Sequence, residues 1–144
     1  MDGDLKVLTI AQDKAVGADS QLLLNAGLVF ELPYPGGRFD RIFSTLLFHH
    51  LTQKAKQRTL LEALRILKPG GQLCVADWGK PANRLMRILF FLVQLLDGFS
   101  TTTDNVKGRL PELIREAGFA EVREVHHFNT PFGTLCLTIA VKPS

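Results

Sequence analysis

The sequence predicts an α/β layered sheet, mostly parallel, that ends in an antiparallel strand pair. Three observations carry this. Strand-length apolar runs alternate with helical periodicities along the chain. The run Phe39 to Phe48 holds Ile42, Phe43, Leu46, Leu47 and Phe48, the near-continuous apolar character of an interior strand in a parallel sheet. The last two apolar runs, Ala120 to Phe128 and Thr134 to Val141, are separated by Asn129 to Gly133, a hairpin-sized link.

The elements follow in order. Leu5 to Ala15 reads as a helix, because Leu5, Leu8, Ala11 and Ala15 recur at three- and four-residue steps; Asp4 can cap it and Gly17 ends it. Gln21 to Leu24 is a short apolar run, expected as a buried strand. Leu32-Pro33-Tyr34-Pro35-Gly36-Gly37 is turn chemistry, since proline fixes φ and glycine permits positive φ. After the strand at Phe39 to Phe48, Thr52 looks like an N-cap. Leu60, Ala63, Leu64 and Leu67 then line one helix face, and Pro69-Gly70-Gly71 is expected to terminate it. Gln72 to Ala76 is the next strand, running into Asp77-Trp78-Gly79. Asn83 to Leu96 is a second, very apolar helix, and Ser100 to Asn105 a polar loop. Leu110 to Ala117 is a short helix in which Pro111 falls in the first turn, where it is tolerated, and Gly118 closes it. In the last strand Leu135, Leu137, Ile139 and Val141 share one face.

Composition narrows the class. The 144 residues are 46% hydrophobic and 22% charged, the make-up of one globular domain over residues 1–144, and this excludes disordered, collagenous and coiled-coil chains. Seventeen Lys+Arg against fourteen Asp+Glu leave a net charge of +3, which is no nucleic-acid footprint. Lys54, Lys56 and Arg58, the densest basic run, read as the solvated face of their helix. Two isolated cysteines, Cys74 and Cys136, suggest neither a disulfide framework nor a zinc motif, and they fit a reducing cytoplasm. His126 and His127 show no Asp, Glu or Cys at ligand spacing, so no metal is expected. The acidic N-terminus lacks a signal-peptide core. Leu85 to Leu96 is too short to span a bilayer, which takes about 20 apolar residues; a buried helix, a lid over an apolar ligand and an interfacial helix all suit it.

Several segments together resemble class I S-adenosylmethionine-dependent methyltransferases. Leu32 to Asp40 (LPYPGGRFD) is similar to the family's proline- and glycine-rich approach to its fourth strand. Phe48-His49-His50-Leu51 resembles the pair of histidines after that strand. Leu64 to Leu73 (LRILKPGGQL) is similar to the turn into the fifth strand. Asp77-Trp78-Gly79-Lys80-Pro81 and Gly118-Phe119 fall in the expected order. The branch resembled is that of the quinone-biosynthesis C-methyltransferases. The resemblance implies a Rossmann-like sheet with helices on both faces and the order 3-2-1-4-5-7-6. It also implies S-adenosyl-L-methionine as cofactor and a small, apolar acceptor.

The chain departs from the family's pattern at its start. It contains no GxGxG, the loop in which glycine lets the backbone pass close to the cofactor's methionine part. It therefore looks like a truncated form of the domain, lacking the first βα unit and most of the second strand. By resemblance, Asp2 matches the acidic residue that holds the ribose hydroxyls, because a carboxylate can accept both O–H groups; its plainer reading is a frayed terminal residue. The position facing the adenine amino group is Leu28 when counted back from Leu32-Pro33. Its side chain cannot accept a hydrogen bond, and Asn25-Ala26 takes the place if three residues are inserted. Thr45 matches a small hydroxyl residue of the cofactor cleft, and Asp2, Leu28 and Thr45 would share one edge, at the carboxyl ends of strands.

A sulfonium methyl is already activated, so positioning supplies most of the rate. A carbon or hydroxyl acceptor would still need deprotonation, for which His50 is the candidate base. The plainer reading of His49 and His50 is one histidine capping the strand end and the other solvated. Two functions from different classes follow: a methyltransferase, inactive if the truncation removes too much, or a non-catalytic methyltransferase-like module that binds a partner or itself. Loss of the central strand would leave Arg41 to Phe48 as a bare apolar edge. The expected outcomes are pairing of the Gln21–Leu24 strand with it, a homodimer through it, or poor solubility.

Overall fold

The computed structural model describes residues 2–18, 23–81, 83–97, 104 and 107–144. Its elements are α1 (Leu5–Gly17), β1 (Phe39–Thr45), a 3-10 turn (Phe48–His50), α2 (Gln53–Ile66), β2 (Leu67–Trp78), α3 (Arg84–Asp97), α4 (Leu110–Glu116), β3 (Ala120–Thr130) and β4 (Gly133–Val141). The four strands lie in the order β1-β2-β4-β3. β1 and β2 run parallel with Arg41 beside Gln72, so the segments at Phe39 and Gln72 lie side by side as the resemblance requires. β4 pairs antiparallel with both β2 and β3, so the sheet is mixed and carries the expected antiparallel pair at its C-terminal end.

Local chemistry explains the element ends. The Asp4 carboxylate accepts the Lys6 N–H at 2.8 Å and starts α1. Thr52 Oγ1 accepts the Ala55 N–H at 3.3 Å and starts α2. Asn83 does the same for α3 through the Met86 N–H at 2.9 Å. Each satisfies a donor that the first helical turn leaves unpaired.

Pro69-Gly70-Gly71 does not form the helix end that was expected. α2 stops at Ile66, Leu67 is already extended, and the next four residues bulge within β2 between the pairs Phe39–Leu67 and Arg41–Gln72. Gly70 donates its N–H to the Lys142 carbonyl at 3.0 Å, and Lys142 donates back to Gly71 at 2.9 Å. Gly70 has φ of +74°, and a Cβ on Gly71 would lie 2.8 Å from the Lys68 carbonyl oxygen. Side chains at these two positions would obstruct the bulge.

The expected strand at Gln21 to Leu24 is not formed at Leu23 and Leu24, while 21 and 22 lie outside the described residues. Pairing occurs instead at Ala26, as a single parallel bridge to Asp2. No pairing of this segment with β1 exists among the described residues, so the first of the three expected outcomes is corrected. Most of the loop expected at Ser100 to Asn105 also lies outside the described residues; Asp104 is described and buried.

The core lies on one face of the sheet. Leu60 and Ala63 of α2 and Leu113 and Ile114 of α4 pack with Leu73, Val75 and Ala140. The other face receives α3, whose buried Phe90 stands 5.8 Å from the Trp78 ring. Helices thus cover both faces. On β4 the leucine-rich face is only half-buried, whereas Thr134, Cys136, Thr138 and Ala140 are buried. The small residues of β4, not its leucines, thus lie on the buried face, which apolar alternation cannot reveal.

Candidate functional site

A cleft of about 610 Å³ runs along the outer edge of β1, with Asp2, Gly3, Tyr34, Phe43, Thr45 and His50 among its lining. One wall is β1 and the turn that follows it. The other includes the N-terminal segment, held in place by the Asp2 N–H to Asn25 O bond at 3.2 Å and the Gly27 N–H to Asp2 O bond at 3.2 Å. The cleft follows β1 from Phe39 to Thr45 and takes in its carboxyl end and the turn beyond, the end at which open α/β sheets bind ligands.

The turn after β1 is sharply made. Leu46 sits at φ 51°, left-handed for a side chain that disfavours it, and its N–H is tied to the Ala76 carbonyl at 2.8 Å. The chain then enters the 3-10 turn, which Asp77 anchors from the end of β2. One Asp77 oxygen accepts the Phe48 N–H at 2.6 Å; the other accepts His49 Nδ1–H at 2.8 Å and the Trp78 N–H at 2.7 Å. Both Asp77 and His49 are buried. The His49 and His50 rings lie 3.9 Å apart, and His50 is exposed on the cleft side.

A buried cation completes this network. Lys56 of α2 is fully buried, with its ammonium 3.8 Å from Asp104 Oδ2. Burial pushes its pKa down, and the charges of Asp104 and Asp77 oppose that.

A second clamp fixes the far wall. Arg65 donates to Glu62 at 2.8 Å and also to the carbonyls of Tyr34 and Leu32, while Glu62 accepts the Leu32 N–H at 2.9 Å. The Arg65 guanidinium holds the Glu62 carboxyl down at about 2, helped by the Leu32 N–H. The turn at Leu32 to Tyr34 is thereby bolted to α2.

Of the residues expected at the site, Asp2, Thr45 and His50 line the same cleft. Leu28 does not; it is 55% exposed and borders a neighbouring hollow with Ala26 and Gly27. Asn25, the alternative to Leu28, donates its amide to the Tyr34 hydroxyl at 2.8 Å. His49 is the histidine that braces the strand end, through Asp77. The sequence reading missed Asp77, Lys56 and Asp104; the one signal was the polar Asp77 closing an apolar strand. It also saw no ligand partners for His127, yet Glu124 and Cys136 stand beside it.

Comparison with known proteins places this arrangement. A family model described as a methyltransferase domain matches residues 1–75. The ubiquinone/menaquinone biosynthesis C-methyltransferase UbiE of Pseudomonas savastanoi pv. phaseolicola is 33% identical over 131 residues, covering 78% of this chain and 49% of that protein. The chain spans about half the length of the curated relatives it matches. A SAM-dependent methyltransferase structure from Methanosarcina mazei superposes with a TM-score of 0.75 at 18% identity, covering 99% of this chain and 80% of that one. The structure of the [4+2]-cyclase SpnF superposes with a TM-score of 0.70 at 17% identity, over 98% and 64%. With the family model spanning more than half of its residues, and with this sheet beneath it, the chain belongs to the methyltransferase domain family.

Proposed function

We propose that the chain takes part in S-adenosylmethionine-dependent methyl transfer to a small apolar acceptor. The observation that carries this is the convergence of Asp2, Thr45 and His50 on one cleft along β1. Its volume, about 610 Å³, lies within the roughly 300–1,000 Å³ usual for small-molecule sites. The residues fit the adenosyl half of the cofactor. Asp2 Oδ1 accepts the Asp4 N–H at 2.9 Å, which orients the carboxylate and leaves Oδ2 for a ribose hydroxyl. Thr45 supplies a hydroxyl at the strand end, and Leu28, in the adjoining hollow, gives the adenine an apolar neighbour.

When bound, the cofactor supplies a methyl group on a sulfonium. The chain's own part is to line the cleft with Ile42 and Leu47, orient the acceptor, and take its proton at His50. The braced 3-10 turn fixes where that imidazole stands. The similarity to the [4+2]-cyclase SpnF shows why the fold alone does not set the reaction.

Calorimetry with S-adenosylmethionine and S-adenosylhomocysteine tests the proposal. Both should bind the wild type, and Asp2→Ala should weaken them. His50→Gln should leave binding intact and slow transfer by about a hundredfold. No heat and no thermal shift at millimolar cofactor would contradict it.

A second reading, self-association, is favoured by one observation. β1 is the last strand on its side of the sheet among the described residues, and its Phe43 is 73% exposed. A homodimer through Arg41 to Phe48 would cover this edge. For compartment, a reducing cytoplasm suits the two free thiols, which face opposite sides of the sheet: Cys74 pairs with Ile139, and Cys136 with Asp77. Among the described residues no helix is long and apolar enough to cross a membrane.

A further inference from the structure

We propose that the β3–β4 hairpin holds a site for one zinc-like divalent ion, with Glu124, His127 and Cys136 as ligands. One ligand atom from each lies within 4.8 Å of the other two. Cys136 Sγ stands 3.2 Å from His127 Nδ1. A tetrahedral zinc, with bonds of about 2.3 Å to sulfur and 2.0–2.1 Å to nitrogen, sets these two atoms about 3.5 Å apart. The pair is already at ligand spacing, and the carboxylate need close in by only about an ångström.

The backbone explains how three such residues meet. Glu124 and His127 are three apart, and in a regular strand that odd spacing sends them to opposite faces. Here Glu124 pairs with Thr138, while His126 pairs with Leu137 and His127 with Cys136. The register slips by one residue between Glu124 and His126, so a bulge restores both side chains to the face that carries Cys136.

Burial and chemistry fit an ion. Cys136 is buried, while Glu124 and His127 are exposed, which gives a protein floor, an entry path and an open fourth position for water. A thiolate, an imidazole and one carboxylate favour zinc-like ions over magnesium or calcium, which prefer oxygen alone. The floor also touches the cleft's supports. A Cβ on Gly79 would collide with Cys136 Sγ, and the Gly79 N–H bonds the Thr134 carbonyl at 3.0 Å. Gly79 follows Asp77 by two residues, so a bound ion would brace the loop from which Asp77 anchors the cleft turn.

Cobalt(II) titration of the chelator-washed chain tests this, because a cysteine ligand gives a thiolate-to-cobalt charge-transfer band in the near ultraviolet. The expected result is one cobalt per chain, the band present, and its displacement by zinc. Cys136→Ser should abolish the band, and Cys74→Ser should keep it. Losing a group that merely orients a ligand costs about 10–100-fold in affinity, so His127→Gln should weaken zinc binding by at least about tenfold. His127 is exposed on the outer strand, so this variant keeps the test open if Cys136→Ser fails to fold. Absence of a band in the wild type would overturn the proposal. So would a band that survives Cys136→Ser, or zinc affinity unchanged in His127→Gln.

Discussion

Asp77 decides where the cleft-facing turn stands, because one buried carboxylate accepts the Phe48, His49 and Trp78 N–H groups. Asp77→Asn replaces an acceptor oxygen with a donor and uncouples His49. Leaving buried hydrogen-bond donors without their acceptor costs about 1–3 kcal/mol, so the urea midpoint should fall accordingly; an unchanged midpoint would show that the turn stands without it. Glu62 is the second residue with a measurable signature. Its carboxyl sits at about 2 in place of an ordinary 4.5. A depressed folded-state pKa means stability that is present above about pH 4.5 and lost as pH falls toward 2. The pair is partly exposed, so solvent screening reduces its worth to about 1 kcal/mol. Glu62→Gln should cost that amount at pH 7, with the gap to wild type closing between pH 4.5 and 2; a gap still open at pH 2 contradicts the assignment. Asp2, Thr45 and His50 were candidates from motif order, and the structure brings the three to one cleft. Asp77 was not, since its partners Phe48 and His49 lie 29 and 28 residues away and only the β1–β2 ladder brings them together.

Among the elements, periodicity served well for α1, α2, α3 and α4, and the Asp4 and Thr52 caps, which are local features, for the starts of α1 and α2. The β3–β4 hairpin was equally plain, although the strands run on to Thr130 and Gly133 and leave a two-residue turn. Illegible were the three places where pairing departs from regular register: between Leu67 and Gln72, between Ala120 and Arg123, and at Val125. At Pro69-Gly70-Gly71, turn residues normally signal a break, yet here they form a bulge that stays hydrogen-bonded to Lys142. At Val125, a bulge changes which side chains share a face, and no residue type announces it. The first can be tested by substitution. A Cβ on Gly71 meets backbone oxygen at 2.8 Å, which cannot swing aside, whereas one on Gly17 meets open space. Gly71→Ala should cost about 2 kcal/mol, and Gly17→Ala should be neutral or stabilising by up to about 1 kcal/mol. Equal midpoints for the two variants in chemical denaturation would contradict the bulge.

At the scale of the whole molecule, the sheet order places β1 at one side of the sheet, and the cleft lies between β1 and the segment that the Asp2–Ala26 bridge holds. The parallel neighbours β1 and β2 were readable because their apolar runs bracket α2. The isolated bridge was not, since one hydrogen-bonded pair leaves no periodic trace. If β1 mediates self-association, light scattering should report a dimer for the wild type and a monomer for Phe43→Lys; a wild-type monomer would refute that reading and leave the cleft open to ligand. The central claim is that this cleft receives the adenosyl cofactor. Amide chemical shifts followed during titration with S-adenosylhomocysteine test it most directly. The account expects the perturbed amides to cluster at Asp2, Thr45, Leu46 and His50. Shifts confined elsewhere, or none at millimolar ligand, would contradict it.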